Sequence, residues 1–508
     1  MSDGKEVSKL FRDFEKAREL NLENLKKILR DNKDTEYGRR LSFAGISSAE
    51  DYRRRVPVTR YEDYDGLCAH NRYTVYPVRY TLATSGSTGK RKVFPLTGEA
   101  LDRYGDYIYS MPYRLFGGKS GPHIHTSVFR LREQGDNLLS AAYFSELRDR
   151  GYFDSGAYIG GERLLFSEDI TDVFYVKSWL MLCCPELVSI QSIFLYDVLL
   201  IMNYMEKNWR SLLKDMREKR VGSDLKQDVK ERLLACLPAP SVLENAEKVL
   251  SGGFDTPILP GLFGGLRFIS GIGGKSMEFQ TNALKRYSGT IPLHFFAYAS
   301  SECMMGIAIY PEKDEYALLP HSAYYEFLDK NETCVQMDGL LPGECYEVVL
   351  TTFGGLYRYR TGDMIKILRF VGETPVFEIQ GRKQTINIAG EKLSAELVED
   401  TIASWAERYR VNFSDFALGA EHTVPGRYWL FVEAADDLPR SAGAAVDKML
   451  AKGSEDYMEI RELGMLGELS VKRCGSGSIA RMFGEGHGKH RTFLKEWQTD
   501  ALLNAKDE

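Results

Sequence analysis

The segment from Leu266 to Ala297 constrains the fold more than any other part of the chain. An apolar stretch, Leu266–Ser270, precedes a glycine-rich turn, an amphipathic stretch over Met277–Tyr287 and a second apolar stretch, Ile291–Ala297. A strand, a turn, a helix and a further strand form the repeating unit of α/β proteins, in which successive strands lie parallel. The segment therefore predicts an α/β fold in which Ile291–Ala297 is one buried strand.

Other stretches before residue 380 fit the same domain. Hydrophobic residues recur at helical spacing over residues 5–30 and predict two helices packed on the body of the protein. The most apolar region, Phe174–Met205, contains charged residues and a proline, so we expect a buried core helix rather than a membrane span. Short strands and turns dominate residues 305–380.

A change of motif content near residue 380 predicts a second domain. Thr385–Ile388 has strand character, Gly390 predicts a turn, and Ser394 stands where it can cap a following helix. We therefore expect an α/β protein with a large N-terminal domain over residues 1–380, built of mixed or parallel sheets and helices. A small α+β C-terminal domain would occupy residues 381–508.

Composition argues against several classes of function. A net charge of -6 over 508 residues gives no basic surface for nucleic acid and no polybasic patch for a membrane. The eight cysteines show no zinc-binding spacing and are typical of a reducing compartment. The N-terminus is charged and has no secretory signal. These features predict a cytoplasmic protein that binds neither nucleic acid nor membranes.

A loop of small and hydroxylated residues predicts a phosphate-binding site. It reads Thr84-Ser85-Gly86-Ser87-Thr88-Gly89-Lys90 and lies between two predicted strands. Small residues let backbone N–H groups approach phosphate oxygens, while the hydroxyls and Lys90 add donors and charge. It is not a Walker A loop, because only two residues separate its glycines. An exposed hairpin turn of the same composition is the structural alternative.

Two later segments add candidate nucleotide ligands. Tyr298-Ala299-Ser300-Ser301-Glu302 follows a predicted buried strand, which is where α/β sheets bind ligands, and Glu302 could hold Mg²⁺. Tyr357-Arg358-Tyr359-Arg360-Thr361-Gly362-Asp363 ends in a tight turn, so the Asp363 carboxylate could accept two ribose hydroxyls. A solvated carboxylate for Glu302, an Asx-turn for Asp363 and a surface ion pair for Arg382 are the alternatives. The three segments in this order favour a nucleotide site.

These segments resemble the motifs of the adenylate-forming superfamily, which contains acyl-CoA synthetases, peptide-synthetase adenylation domains and luciferases. The closer resemblance is to the branch of plant auxin-responsive acyl acid amido synthetases and their bacterial relatives. It covers about residues 40–400 and rests on Ser85–Lys92 with Pro95-Leu96-Thr97, Tyr298–Glu302, Tyr357–Asp363, Val56-Pro57-Val58, Tyr61-Glu62-Asp63-Tyr64 and Tyr324-Tyr325-Glu326-Phe327.

The resemblance implies an adenylation domain, a mobile C-terminal domain and two half-reactions. In the first, the carboxylate of a small acid attacks the α-phosphorus of ATP and pyrophosphate leaves. In the second, an amine, usually that of an amino acid, attacks the acyl carbon and AMP leaves. Chemistry of this kind asks for positioning and charge neutralisation, not for a protein nucleophile. An acid–thiol ligase and a non-catalytic nucleotide-binding regulator remain alternatives.

The resemblance also implies roles for single residues. The phosphate contacts would come from Thr84, Ser85, Ser87, Thr88 and Lys90. Glu302 would ligate Mg²⁺, while Tyr298, Ser300 and Ser301 would border the nucleotide. Asp363 would hold the ribose hydroxyls, and Arg382 would add a ribose or phosphate contact.

Two further assignments carry explicit alternatives. The superfamily supplies a lysine from its C-terminal domain to the first half-reaction, and Lys489, beside a glycine-rich stretch, is the best candidate here. A solvated basic loop is the alternative. Tyr113 and Arg114 could line the acyl pocket, with Arg114 paired to the substrate carboxylate, but ordinary helix packing also explains them.

Overall fold

The chain divides into two compact units. The computed structural model describes residues 3–84, 92–117, 120–132, 135–153, 157–166, 172–222, 225–274, 278–382, 385–434, 436–483 and 492–505. The first unit consists mainly of residues before Lys383, and the second mainly of Lys383–Glu508. Both contain helices and sheets, so the predicted α/β class is confirmed.

The first unit contains a parallel sheet. Within the described ranges its four strands lie in chain order, and helices form each crossover, as parallel strands require. Nearly all of its strand residues are buried, which is the pattern of a sheet covered on both faces. The strands are β3 (His123–His125), β4 (Ser189–Phe194), β5 (Phe268–Ile272) and β6 (Leu293–His294), and a separate pair, β1 (Val78–Thr84) and β2 (Lys92–Thr97), precedes them.

An antiparallel sheet forms the second layer of this unit. Residues in its longest strand alternate between buried and partly exposed, so one face meets the core. In spatial order, its eight strands among the described residues are β11 (Cys334–Val335), β10 (Ala323–Leu328), β12 (Cys345–Thr352), β13 (Tyr359–Val371), β14 (Thr374–Arg382), β9 (Tyr316–Leu318), β8 (Met304–Ile307) and β7 (Ala297–Ala299).

Helices cover these sheets, and one hydrophobic core runs from the N-terminal helices to the antiparallel sheet. None of the helices in the described part of the chain is both long and apolar enough to cross a membrane. Helices α1 to α13 are Asp3–Phe14, Ala17–Asp31, Glu36–Arg40, Ala49–Arg55, Gly98–Tyr104, Tyr107–Leu115, Leu139–Asp149, Val173–Leu182, Leu195–Arg217, Gln227–Ala235, Pro240–Ser251, Leu259–Leu262 and Glu278–Ser288.

The prediction of one strand over Ile291–Ala297 is wrong. The segment forms β6 in the parallel sheet and then enters β7 in the antiparallel sheet. Phe296, between them, has φ 58°. A left-handed backbone cannot continue an extended strand, so the chain turns a corner there. Both sheets bury the flanking phenylalanine rings, which explains why the stretch is apolar throughout.

The prediction of one buried helix over Phe174–Met205 is also wrong. The region forms most of α8, then β4, then the first half of α9. Pro185 follows α8, and a proline cannot continue a helix without losing a backbone hydrogen bond. The apolar residues are buried as expected, but β-branched side chains around Ile190 favour a strand.

The second unit contains a small sheet with helices. Ser394 caps α14, because its hydroxyl accepts the backbone N–H of Leu397 at 3.2 Å, so this prediction is confirmed. The strands are β15 (Thr385–Ile386) and β16 (Leu393–Ser394), which pair, and β17 (Phe413–Glu421), β18 (Arg427–Ala434) and β19 (Ser470–Cys474). The helices α14 to α18 are Ala395–Tyr409, Ala442–Gly453, Glu455–Glu462, Ser478–Phe483 and Glu496–Asn504.

Candidate nucleotide site

Asp363 lies within β13, at an irregular point where the register against β12 shifts, and not after a tight turn as predicted. Thr361 donates its hydroxyl to the carbonyl oxygen of Val348 at 2.9 Å, and its Oγ1 accepts the backbone N–H of Asp363 at 3.1 Å. Gly362, between them, has φ 76°, a conformation that favours glycine. In the sheet, Asp363 lies opposite Arg382. The Thr-Gly-Asp sequence thus places a carboxylate at one defined position on β13.

Tyr298 joins Asp363 across 65 residues of sequence. Its phenol hydroxyl donates a hydrogen bond to Oδ2 of Asp363, and both residues are buried. The Tyr298 ring packs against Phe377 and Tyr316 at centroid distances of 5.8 and 6.3 Å. The structure therefore brings two of the three predicted segments together, and the Asp363 carboxylate accepts a hydroxyl, the same kind of donor that a ribose presents.

Ser300 and Glu302 lie in the turn that follows β7. The backbone N–H of Ser300 donates to the carbonyl oxygen of Cys303 at 3.0 Å, and the reverse bond measures 3.2 Å. The Ser300 hydroxyl is shielded from solvent and has no hydrogen-bond partner among the described residues. Ser301 and Glu302 are partly exposed. An orphaned hydroxyl beside an accessible carboxylate is a plausible edge for a polar ligand.

The donor set around Glu302 fits Mg²⁺ only together with a ligand. In the part of the chain that the structure describes, no three carboxylate, histidine or cysteine side chains are grouped to hold a metal ion. Mg²⁺ typically takes one or two carboxylates and fills its other positions with water and substrate phosphates. Glu302 can supply one such carboxylate, so a site preformed by several protein ligands is not needed.

A short segment, Thr59–Tyr64, binds the backbone of the Tyr357–Asp363 segment; we call it the clasp. The Tyr64 hydroxyl accepts the N–H of Tyr357 at 2.7 Å, and the Thr59 hydroxyl donates to the carbonyl oxygen of Tyr357 at 2.8 Å. Backbone bonds of 2.9 Å join Thr59 to Arg358 and to Arg360. The clasp therefore fixes the start of β13 from outside the sheet.

The two arginines of the Tyr357–Asp363 segment form ion pairs with the scaffold. Buried Arg358 has φ 47° and donates to Glu326 at 3.0 Å. It also donates to the carbonyl oxygens of Arg53 and Val56, each at 2.9 Å. Arg360 donates to Glu347 at 3.0 Å. These contacts give both arginines a structural role in holding the segment in place.

Several predicted site residues lie outside the described residues. These are Ser85, Ser87, Thr88 and Lys90 of the phosphate loop, and Lys489. Thr84 is the last residue of β1 and Arg382 the last of β14, but the structure describes neither side chain. The assignments of these seven residues therefore stay predictions.

The structure does not bring Tyr113 and Arg114 to one pocket. Tyr113 is buried, and its hydroxyl bonds to Tyr158 at 2.8 Å and accepts from Gln191 Nε2 at 2.7 Å. Arg114 is exposed on the other side of α6, with its guanidinium 5.9 Å from the ring centroid of Phe11. Neighbouring residues on a helix point in different directions, and here only Tyr113 faces the interior.

Polar residues at the carboxyl edge of the parallel sheet escaped the sequence reasoning. Asp197, at the start of α9, accepts the hydroxyls of Ser127 at 2.9 Å and Ser192 at 2.8 Å. Burial raises the pKa of Asp197 to about 6, and the serine hydroxyls only partly oppose that shift. Ser127 lies two residues after β3 and Ser192 lies in the second half of β4, near the strand ends where α/β sheets bind ligands.

Other titratable groups buried around this sheet favour their neutral forms. Burial lowers the pKa of His125 to about 3, of His294 to about 4 and of Lys177 to about 7. The Lys177 amine donates to the carbonyl oxygen of Leu164 at 3.1 Å. The His294 ring bonds to Ser270 at 3.0 Å. Lys177 and His294 thus have hydrogen-bond partners within the fold, while burial opposes the charged form of all three groups.

The second unit presents a lysine on an anchored loop. Buried Glu391 accepts the backbone N–H groups of Ile388 and Ala389, both at 2.8 Å, and the hydroxyl of Tyr428. Burial raises the pKa of Glu391. Lys392, the next residue, is exposed and has φ 46°. The described part of this unit thus offers a cation that the sequence reasoning missed.

Comparison with known proteins identifies the family of the chain. A model of the GH3 family N-terminal domain matches residues 7–293, and a model of the GH3 family central domain matches residues 316–382. The chain is 26% identical over 537 residues to the probable indole-3-acetic acid-amido synthetase GH3.12 of Oryza sativa subsp. japonica, covering 91% of this chain and 87% of the relative.

Two further similarities extend along most of the chain. The jasmonoyl–L-amino acid synthetase GH3.5 of the same organism is 26% identical over 530 residues, covering 91% of this chain and 88% of the relative. The solved structure of the acyl acid amido synthetase AtGH3.15 in complex with 2,4-DB superposes with a TM-score of 0.67 at 22% identity. It covers 97% of this chain and 95% of that one, so the two share a fold.

Proposed function

Because this chain belongs to the GH3 family of the adenylate-forming superfamily, we propose that it is an ATP-dependent ligase acting on a carboxylic acid. It activates the acid as acyl-AMP and transfers the acyl group to the amine of an amino acid, which forms an amide. The observation that carries this proposal is the bond between Tyr298 and Asp363, which joins two nucleotide-binding segments at one place.

The first half-reaction depends on holding ATP and the acid in line. A carboxylate oxygen of the acid attacks the α-phosphorus, the new P–O bond forms, and pyrophosphate leaves. Asp363 accepts the ribose hydroxyls, and Ser300, Ser301 and Arg382 border the nucleotide. The residues Thr84 to Lys90 contact the departing phosphates. Such positioning lowers the barrier because translational and rotational entropy is lost on binding rather than during the reaction.

Charge neutralisation at the phosphates supports the same step. Glu302 and the phosphate oxygens together would hold Mg²⁺, which neutralises charge on the leaving pyrophosphate. The Ser300 hydroxyl, which has no partner among the described residues, supplies a further donor near the same turn. Because Glu302 is a single carboxylate, we expect the metal ion to bind together with ATP.

The second half-reaction needs an amine to reach the acyl carbon. The amine nitrogen forms the C–N bond, the C–O bond to AMP breaks, and the ammonium proton is released.

Lys489 is the proposed cation from the C-terminal region in the first step, and exposed Lys392 is a second candidate. Replacing each lysine separately by alanine shows which half-reaction that lysine serves. Pyrophosphate exchange reports the first half-reaction alone, and amide yield reports both.

The identity of the acid is proposed only as a class. The rice relatives are named for indole-3-acetic acid and jasmonic acid, and the solved AtGH3.15 structure holds 2,4-DB. All three are small carboxylic acids with a largely apolar body. We expect this chain to activate an acid of that class, in a cytoplasmic setting that supplies ATP.

The test is an assay with ATP, Mg²⁺, a panel of such acids and the common amino acids. Mass spectrometry should detect AMP and an amide that depends on both acid and amino acid. Product formed only with coenzyme A would instead identify an acid–thiol ligase. If none of the acids causes release of pyrophosphate, the remaining hypothesis is a non-catalytic nucleotide-binding regulator.

Substitution of Glu302 tests the proposed metal contact. The Glu302→Gln variant should lose at least about 100-fold in kcat, on the scale of removing one transition-state charge contact, with a smaller change in ATP affinity. Excess Mg²⁺ should restore part of the rate. Glu344→Gln, at an exposed carboxylate away from the site, is the matched control. Wild-type turnover in Glu302→Gln would remove Glu302 from the mechanism.

A further inference from the structure

The start of α9 holds a carboxylate at the carboxyl edge of the parallel sheet. Asp197 lies in the first turn of this helix, three residues after the end of β4. A side chain at Gly271 of β5 would place its Cβ 2.9 Å from the backbone nitrogen of Leu195, so the start of α9 packs directly against the sheet. This close contact fixes Asp197 at the edge where α/β sheets bind ligands.

The two oxygens of the Asp197 carboxylate differ in their contacts. The hydroxyls of Ser127 and Ser192 both donate to Oδ2, at 2.9 and 2.8 Å. The Ser127 Oγ also accepts the backbone N–H of Ile193 at 3.0 Å, which fixes the direction of its hydroxyl. Oδ1 is buried and accepts no hydrogen bond from the part of the chain that the structure describes. One oxygen is therefore left to a partner outside this group.

A second polar atom without a partner lies at the same edge. His125 is the last residue of β3, two residues before Ser127, and only 1% of it is exposed. Its Nδ1 has no hydrogen-bond partner in the described ranges. The ring packs against Phe129 and Phe144 at centroid distances of 4.9 and 5.2 Å, so its surroundings are otherwise apolar. Native structures rarely leave buried polar atoms unpaired, so two at one edge indicate a ligand.

The residues beside Asp197 are accessible and mostly apolar. Ile193, Phe194 and Ile272 are partly exposed, as are Ser127 and Asp197. The χ2 torsion of an aspartate has a broad minimum, so the carboxylate can turn Oδ1 toward this partly exposed side. Apolar walls with a few fixed polar groups are typical of sites for small molecules. These surroundings fit the apolar body of a carboxylic acid.

The described residues give Asp197 hydrogen-bond donors but no ion-pairing cation. Burial raises the pKa of Asp197 to about 6, and the groups that oppose this shift are hydroxyls and backbone groups. The carboxylate is thus mostly ionised at about pH 7.5, and its place in the first turn of α9 favours the negative charge. An ionised oxygen forms strong hydrogen bonds with donors.

We propose that Asp197 is a substrate-binding residue that selects carboxylic acids with a hydroxyl or amino group on their apolar body, an inference that rests on the proposed function. The donor group of the acid bonds to Oδ1, while Ser127 and Ser192 hold Oδ2. An acid without a donor leaves the carboxylate buried with one oxygen unpaired, which costs free energy in the complex. Acids of equal size are thus distinguished by their hydrogen-bonding groups.

The probes are phenylacetic acid and 3-phenylpropanoic acid, each unsubstituted or with a hydroxyl, amino or methoxy group on the ring. A methoxy group keeps the oxygen but cannot donate. Ortho, meta and para isomers vary the distance between the added group and the carboxylate of the acid. With the full-length protein, release of pyrophosphate gives kcat/KM for each acid, and calorimetry with the acid alone gives its dissociation constant.

Asp197→Asn removes the acceptor with little change in the size of the side chain. The serine hydroxyls donate, so the amide should turn its oxygen toward them and its NH₂ group toward the acid. The control is Asp215→Asn, at a second buried aspartate on α9, about 27 Å further along the helix. Asp215 accepts the hydroxyl of Tyr175 at 3.4 Å, so the control also removes a buried carboxylate.

The wild type should prefer at least one hydroxyl- or amino-bearing acid to its methoxy counterpart by about tenfold or more in kcat/KM. In Asp197→Asn this ratio should fall to about one, while Asp215→Asn should keep the wild-type ratio. A ratio of two acids within one variant is independent of any general loss of stability.

Two results would overturn the inference. One is a wild type that shows no preference for a donor at any ring position, whether or not it releases pyrophosphate. The other is an Asp197→Asn variant that keeps the wild-type preference. Failure of the proposed function looks different, because calorimetry would then show the preference and its loss in Asp197→Asn, although no acid causes release of pyrophosphate.

Discussion

The two sheets of the first unit differ in the charge state that their surroundings favour for buried titratable groups. Beside the antiparallel sheet, buried Arg358 is paired with the Glu326 carboxylate, and the attraction more than offsets the effect of burial, so its pKa is raised. Around the parallel sheet, burial lowers the pKa of Lys177 and of two histidines and raises that of Asp197. One region keeps its charges by pairing them, and the other suppresses them.

This difference separates two kinds of polar core. A paired charge is stable only while both partners are present, because either one alone is left in a medium of low dielectric. A neutral group needs only a hydrogen-bond partner, but its stability depends on pH through the proton it has taken up or given away. The antiparallel region should therefore be sensitive to substitution, and the parallel region to pH.

The largest expected effect comes from breaking the pair beside the antiparallel sheet. Arg358→Met leaves Glu326 buried without its cation, which should lower the free energy of unfolding by about 3–5 kcal/mol. Urea denaturation measures this change. The control is Arg217→Met, which breaks an exposed pair with Glu247 and should cost far less. Equal losses in both variants would contradict the comparison.

The next effect should come from removing the buried amine behind the parallel sheet. The pKa of Lys177 falls from 10.5 to about 7 on folding, so the unfolded chain binds the extra proton and stability falls as pH drops from about 10.5 to 7. Lys177→Met should therefore stabilise the protein at pH 7, on the order of 2–4 kcal/mol.

The same variant should gain little near pH 10, where the folded amine is neutral and the unfolded amine, with its pKa of 10.5, has begun to lose its proton. Urea denaturation at the two pH values measures the difference, and Lys207→Met on the exposed face of α9 is the control. A gain that is the same at both pH values would show that packing, and not the proton, is responsible.

A smaller effect is expected at Asp197, where the folded state, and not the unfolded state, binds the proton more tightly. Its pKa rises from 3.8 to about 6, so the folded state holds its proton more tightly and stability falls as pH rises between those values. Asp197→Asn should be about 1–2 kcal/mol more favourable relative to the wild type above pH 6 than near pH 4. Melting temperatures across that range test this. A relative loss that grows with pH would mean that the carboxylate is stabilised by its serines instead.

The smallest effect should come from Tyr298→Phe. This variant removes the hydroxyl that orients the Asp363 carboxylate and should weaken ATP binding about fivefold, the loss of roughly 1 kcal/mol. Calorimetry with ATP measures it. Tyr316→Phe, whose ring neighbours Tyr298, is the control, because its hydroxyl bonds to a backbone carbonyl of Phe295. A drop in both variants would point to altered ring packing.

Short-range features of the site could be predicted from the sequence because their partners lie within a few residues. The Thr361 hydroxyl and the Asp363 N–H that bond within β13 are only two residues apart. The cap at Ser394 depends on the residue three positions later. The sequence around Leu266–Ile272 likewise predicts a parallel strand, since apolar residues and a following glycine turn are local signals.

Features that depend on distant partners could not be predicted. Nothing near Phe296 indicates a corner, because both sheets demand apolar side chains and only the backbone angle differs. The bonds from Thr59 and Tyr64 to Tyr357 span almost 300 residues of sequence. The partners of Arg358 and Arg360, which are Glu326 and Glu347, likewise lie on other strands of the sheet.

The corner at Phe296 limits how the two sheets of the first unit can move. Only Phe295 and Phe296 lie between β6 and β7, a tether of about 10 Å at full extension. The two sheets cannot slide independently across so short a link, so the turn at Ser300 and the edge of the parallel sheet keep one mutual geometry. Variation in this part of the unit should therefore come from replaced side chains, while the backbone path around the corner stays the same.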